Sequence, residues 1–413
     1  MEAYIFEWLN LLGRWFHVIV GIAWIGASFY FIWLDNHLQE PVSSDDIERG
    51  VGGEIWSVHG GGFYHAQKYQ ISPPELPEKL HWFKWEAYST WLSGMFLMCL
   101  MYWYSAEIYL IDPNVAAISK PLAVLIGIAC IVVGWFAYDY LCRSRYGQNE
   151  RTVALILFVV LCFVAFGLCQ IFSGRGAYMH FGAMLGTIMV ANVFFIIIPG
   201  QKDLVAAKQQ GRQPDPVHGI RGKQRSVHNT YFTLPVLFVM ISNHYAMTYA
   251  HAYNWLILIA ISLAGALIRV YFVARHRGKA SMWPLLLAVI ILGVVAAALV
   301  PKPATSQAIT DNTNDDQSAN ASAHISSVSF ADVTAVVQQR CANCHAVKPS
   351  YPGFASAPMG IRLDNDEQIR ANAASIYQQS VVTKAMPIGN LTGMTNEERA
   401  LIGQWVAQGG LSE

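Results

Sequence analysis

Eight apolar stretches, each long enough to cross a lipid bilayer as a helix, constrain this chain more than any other feature. They fall at roughly 9–33, 87–105, 119–141, 152–172, 177–198, 230–250, 253–274 and 283–300. About 20 residues at about 1.5 Å each cover a hydrocarbon core about 30 Å thick. Inside that core every backbone N–H and C=O must find its partner within protein, which favours a bundle of helices. Composition agrees, with 54% hydrophobic and only 13% charged residues in 413. The expected fold class is all-α, an eight-helix transmembrane bundle over residues 1–300. Formal net charge is zero, so no global field draws the chain to nucleic acid. Neither a basic leader nor a small-residue cleavage site precedes the first apolar stretch, which reads as a retained helix.

The placement of Lys and Arg orients the bundle. Connections after the first, third, fifth and seventh helices carry Arg49, Lys68, Lys79 and Lys84, then Arg143, Arg145 and Arg151, then Lys202, Lys208, Arg212, Arg221, Lys223 and Arg225, then Arg275, Arg277 and Lys279. The opposite connections offer only Lys120 and Arg175. The positive-inside rule puts the basic set in the cytoplasm and both termini outside, which in a bacterium means the periplasmic face of the inner membrane.

After Pro301 the sequence turns polar, rich in Asn, Ser, Thr and Ala to about Ser327, and residues 301–327 read as a flexible linker. Residues 328–413 form a separate domain. Within it, Cys341-Ala-Asn-Cys344-His345 is a C-x-x-C-H sequence, the attachment site of a c-type haem, with two thioethers from the cysteines and an axial imidazole from His345. A zinc knuckle or thioredoxin-like pair shares the C-x-x-C spacing, but zinc needs further ligands nearby and none follows His345. Met386, followed by proline in Ala-Met-Pro-Ile-Gly-Asn, is the expected second axial ligand, with Met359 and Met394 as rivals. Phe330–Arg340 and 365–380 read as helices, and Thr395-Asn-Glu-Glu398 as a capping box opening a last helix. The pattern is that of a class I cytochrome c. The other cysteines, Cys99, Cys130, Cys142, Cys162 and Cys169, lie in or beside apolar segments, where thiols behave as small hydrophobes.

Ionisable residues inside a bilayer mark function by default. His17, His180 and His244 fall at one level in the outer half and are the expected ligands of a b-type haem in the membrane domain, although an intramembrane His also serves as an interhelical hydrogen-bonding residue. A second cluster lies toward the cytoplasm: His59-Gly-Gly-Gly-Phe-Tyr with Lys68, then Phe83-Lys84-Trp85-Glu86, then His228-Asn229-Thr230-Tyr231. Lys, His and Asn beside aromatics suit a flat anionic heterocycle. Against this, interfacial aromatics anchor helix ends, and triple glycine turns a chain.

The segments HGGGFY, FKWEAYSTWLSG and HNTYFTLPVLFVMISNHY, with the terminal C-x-x-C-H domain, resemble the membrane-bound, cytochrome-c-fused urate oxidase (urate hydroxylase) family over essentially the whole chain. That resemblance implies oxidation of urate to 5-hydroxyisourate in purine catabolism. Electrons would pass to the fused haem, then to a soluble cytochrome c or terminal oxidase of the respiratory chain. Lys84, Glu86, His59, His228 and Asn229 are the catalytic residues this reading expects. The alternatives are a membrane-anchored electron-transfer cytochrome and a quinol-oxidising enzyme.

Overall fold

The computed structural model describes residues 2–276, 281–300, 328–352, 354 and 356–409; the linker read at 301–327 lies outside them. Each of the eight apolar stretches is helical. They form α1 (Glu2–His37), α2 (Trp85–Leu97), α3 (Lys120–Arg143), α4 (Glu150–Ile171), α5 (Gly174–Ala191), α6 (Ile198–Gln209) continuing the line of α5, α7 (Pro216–Ser242), α8 (Asn254–His276) and α9 (Trp283–Ala298). Among the described residues, five helical segments are long and apolar enough to cross a membrane: Tyr4–His37, Lys120–Arg143, Glu150–Ile171, Gly174–Gln209 and Asn254–Arg275. Three stretches fall short for separate reasons. The α2 helix passes into a π-helical stretch at Met98–Tyr104, α7 opens on a polar half, and α9 has only 16 residues.

Helix ends follow local chemistry. Asn149 accepts hydrogen bonds from the N–H groups of Arg151 and Thr152 to open α4, and Asp215 accepts from Val217 to open α7, each satisfying donors that a first turn leaves unbonded. At the centre stands α5, whose Tyr178, His180, Phe181, Leu185 and Ile188 are fully buried. It packs on α3, α4 and α7. Glycines permit this approach. A Cβ on Gly127 of α3 would collide with His180, one on Gly134 with Met184, and one on Gly182 of α5 with Val239 of α7. Lipid supplies no hydrophobic drive between helices, so close packing of this kind holds them together.

The all-α expectation misses one element. Strands β1 (Val51–His59) and β2 (Gly62–Tyr69) form an antiparallel hairpin in which His59 pairs with Gly62. Gly60 and Gly61 make its two-residue turn at φ +56° and +81°, values that favour glycine. The triple glycine therefore turns the chain. Glu54 fastens the hairpin, accepting from the Val42 N–H at 3.2 Å and pairing with His65 at 2.8 Å, while Lys68 reaches Asp35 at the end of α1.

The C-terminal residues have their own core, built from Val333, Val337, Leu363, Ile369, Ile402 and Trp405. Its helices are α10 (Phe330–Arg340), α11 (Asp366–Ala371) and α12 (Asn396–Ala407). The Thr395–Glu398 capping box is present with both of its hydrogen bonds. This unit rests on the end of the bundle away from the basic loops. There Gly389 lies against the backbone carbonyls of Glu107 and Ile111, and Ser356 faces Glu7 of α1.

Candidate functional site

At the end of the bundle bearing the basic loops, a cavity of about 1410 Å³ opens between α3, α4, α6, α7 and α8. Glu150, Gln224, Arg225 and His228 on its wall belong to a connected polar network that continues behind it. The Tyr138 hydroxyl is 2.8 Å from His228 Nδ1, and His228 Nε2 is 2.9 Å from Glu150 Oε2. Asn192 Nδ2 donates to the Tyr138 oxygen at 3.2 Å and to Asn229 Oδ1 at 2.8 Å, and Asn229 donates to the Met189 carbonyl. Because Asn192 occupies the Tyr138 oxygen as a donor, the phenolic proton points to His228 Nδ1. The imidazole then carries its own proton on Nε2 and donates to Glu150. Gln224 steadies the same carboxylate through its other oxygen at 3.1 Å.

A guanidinium is buried beside this line. Arg225 is 3% exposed, yet it bonds Asp139 at 2.8 Å and Asn192 at 3.3 Å and lies 4.9 Å from the Tyr138 ring centroid. An unpaired charge there would be prohibitive, whereas a paired and stacked one is tolerated. Asn192 is aimed into the network where α5 widens into a π-helical stretch, Asn192–Ile197, an irregularity that recurs at functional sites. Glu150 is the outermost member of the line, its side chain 59% exposed and on the cavity wall. A carboxylate facing a cavity, backed by an imidazole and a phenol, is equipped to take up a proton.

Of the residues expected from sequence, His228 and Asn229 sit in this network. Lys84, Glu86 and His59 do not line the cavity. Lys84 precedes the first turn of α2, one Glu86 carboxylate oxygen is buried without a partner, and His59 is exposed at the hairpin tip. Sequence reasoning missed Tyr138, Glu150, Asn192, Arg225 and Asp139. Their signal was a charged or hydrogen-bonding residue toward the inner end of an apolar span, at Asp139 and Asn192.

Of the histidines expected to hold a b-type haem, His180 has no ring nitrogen free for iron. His180 is wholly buried with both ring nitrogens engaged, Nε2 by the Trp103 indole N–H at 3.2 Å and Nδ1 by the Gly176 carbonyl at 2.8 Å. His17 bonds Ser93 at 2.9 Å, and His244 is exposed in the turn after α7. His17 thus joins α1 to α2, and His244 stands at a helix end.

The C-x-x-C-H site fits a c-type haem. Cys341 and Cys344 are free thiols following α10. His345 bonds the Ile361 carbonyl through Nδ1 at 3.0 Å, which fixes the ring and leaves Nε2 for iron. Met359 is 91% exposed and Met394 is packed into the core at 3%, so half-buried Met386 is the thioether suited to the second axial position. Its carbonyl is held by Arg399 at 2.8 Å. Burial raises the Cys341 thiol to about 11, with the neighbouring Cys344 acting in the same direction. Among the described residues no cluster of three or more His, Cys, Asp and Glu could hold another metal.

No curated protein and no solved structure matches the chain. Residues 3–300 match the family model described as urate oxidase N-terminal, and the chain therefore belongs to that family of urate-related oxidoreductases.

Proposed function

We propose that the protein is a membrane-bound urate oxidase of a bacterial inner membrane, converting urate to 5-hydroxyisourate and delivering electrons to its own c-type haem. The observation that carries this reading is the Glu150–His228 pair on the wall of a cavity in the family-matched bundle, backed by Tyr138. On this reading the bundle has eight spans, the basic loops face the cytoplasm, and the C-terminal unit is a periplasmic cytochrome c joined by a linker. A plain tether for an electron carrier has no use for a buried polar network.

Urate is an anion at neutral pH, and the cavity rim supplies Arg151, Arg221 and Lys223 to receive it. Glu150 accepts a ring N–H proton, its carboxylate aligned by His228 and Gln224. His228 and Tyr138 spread the change in charge along their hydrogen bonds, and Arg225 fixes Asn192 and Tyr138 in register. Water then adds to the oxidised purine, so that urate and water give 5-hydroxyisourate, two protons and two electrons. The c-type haem supplies one-electron acceptance, held by Cys341, Cys344, His345 and Met386. A soluble cytochrome c or terminal oxidase would take the electrons onward.

The test is an anaerobic difference spectrum of the oxidised haem-loaded protein on adding urate. Reduced c-haem bands growing as urate absorbance falls support the proposal. A haem that dithionite reduces and urate does not would refute it.

A further inference from the structure

We propose that the cavity has a second compartment, an apolar limb that binds the ring of a lipid-soluble isoprenoid quinone as the electron carrier next to the substrate. The redox part of this rests on the function proposed above; the binding site rests on geometry. Small-molecule sites occupy about 300–1,000 Å³, and this cavity at about 1410 Å³ exceeds what a purine fills. Beyond the polar wall it continues between α4 and α8, past Phe158, Leu161, Phe181, Ile259 and Leu263. Both helices are apolar enough to span a membrane, so the limb borders lipid.

One atom in that limb asks for a ligand. Ser262 on α8 is 9% exposed and lines the cavity, and its hydroxyl has no hydrogen-bond partner. A serine buried in a helix ordinarily bonds something, and an orphaned donor is costly. Ser262 lies 13 residues from Arg275 at the basic end of α8, about 20 Å along the axis at about 1.5 Å per residue. That depth lies inside a core about 30 Å thick, where acyl chains offer no acceptor and phospholipid esters do not reach. A quinone carbonyl is an acceptor on an otherwise apolar ring.

The fold also supplies a need for a mobile carrier. The C-terminal unit rests on the far end of the bundle, against Glu107 and Ile111. Lys120 at the start of α3 pairs with Glu107, and Cys142 near its other end lines the cavity. Those 22 residues of helix put about 33 Å between the two ends, too far for one electron-tunnelling step. A quinone accepts both electrons where urate gives them up. Urate, water and quinone give 5-hydroxyisourate and quinol, the two released protons ending on the quinol oxygens. The quinol then carries both electrons through the bilayer toward the haem, which would take them one at a time as the two protons leave the quinol oxygens for water.

The experiment uses the full-length haem-loaded protein. Quinone in organic extracts of the purified protein is quantified, and decylubiquinone binding is measured for wild type, Ser262→Ala and Leu263→Trp. The expected result is about one quinone per chain, binding weakened up to about tenfold in Ser262→Ala, as loss of one hydrogen bond implies, and abolished in Leu263→Trp. An extract holding phospholipid alone, or equal binding in wild type and Ser262→Ala, overturns the site. Urate consumption is then compared with ferricyanide and with decylubiquinone as acceptor under anaerobic conditions. Turnover with both supports the proposal. Turnover with ferricyanide alone overturns it while leaving urate oxidation standing, and turnover with neither removes both.

Discussion

Glu150 and His228 divide one task between an exposed oxygen and a buried ring, and substitutions separate the parts. Glu150→Gln keeps the shape and one acceptor oxygen for His228 or Gln224 but cannot accept a proton, so kcat for urate should fall by about 10²–10⁴ with little change in KM. Lys84→Ala should leave turnover within about twofold, since Lys84 does not line the cavity; activity loss equal to that of Glu150→Gln would return Lys84 to the site. Asn192→Ala removes the donor that holds both Tyr138 and Asn229. It should cost about 1–3 kcal/mol through groups left unpaired, seen as a lower thermal midpoint of the membrane domain. A pH dependence belongs to the C-terminal unit. Burial alone would push the Glu398 carboxyl up, but hydrogen bonds from Arg340 and the Thr395 N–H hold it below the usual range. Its contribution is complete above the unfolded value of about 4.3 and is lost as pH falls through the lower folded value. Thermal unfolding followed in the Soret band should weaken between pH 5 and 3, and Arg340→Gln should flatten that slope. An unchanged slope would remove the ion pair from the account.

At the scale of elements, what could be read in sequence was what one helix specifies by itself. Apolar length marks α3, α4 and α8, and the Thr395 box marks the start of α12. The hairpin escaped because Val51–His59 and Gly62–Tyr69 mix glycine, charge and aromatics without strict alternation, and its register depends on a turn whose glycines suit a ligand loop equally well. Gly60→Val tests the turn. The positive φ costs a β-branched residue about 1–2 kcal/mol, so hydrogen exchange at the β1 and β2 amides should quicken while urate turnover stays unchanged. The site was half legible for a related reason. His228 and Asn229 announce themselves as polar residues entering one apolar span, but their partners come from α3, α4 and α5, and no local pattern says which helices meet. The meeting is decided by glycines. Gly127→Ala would drive a methyl into His180, and overpacking of this kind costs about 1–3 kcal/mol. An unaltered melting temperature would show that α3 and α5 sit farther apart than the structure has them.

For the whole molecule, the arrangement that matters is a polar cavity at one end of the bundle and a C-terminal unit resting on the other. The contact between them runs through the Met386 loop, where Gly389 adopts φ +57° and a Cβ would stand 3.2 Å from the Ile111 carbonyl. Both conditions favour glycine: the dihedral disfavours any side chain, and the bundle backbone cannot yield as a flexible side chain would. Gly389→Ala should loosen the seat without touching the cavity. Haem reduction by urate should then slow severalfold, while urate consumption with ferricyanide, which bypasses the seat, should be unchanged. Because Gly389 follows Met386 by three residues, the optical band of methionine ligation serves as the control. If the band is intact and reduction is slow, the docked geometry carries electrons; if the band is intact and reduction is as fast as in wild type, electrons reach the haem without this contact, and the unit works while swinging free of the bundle.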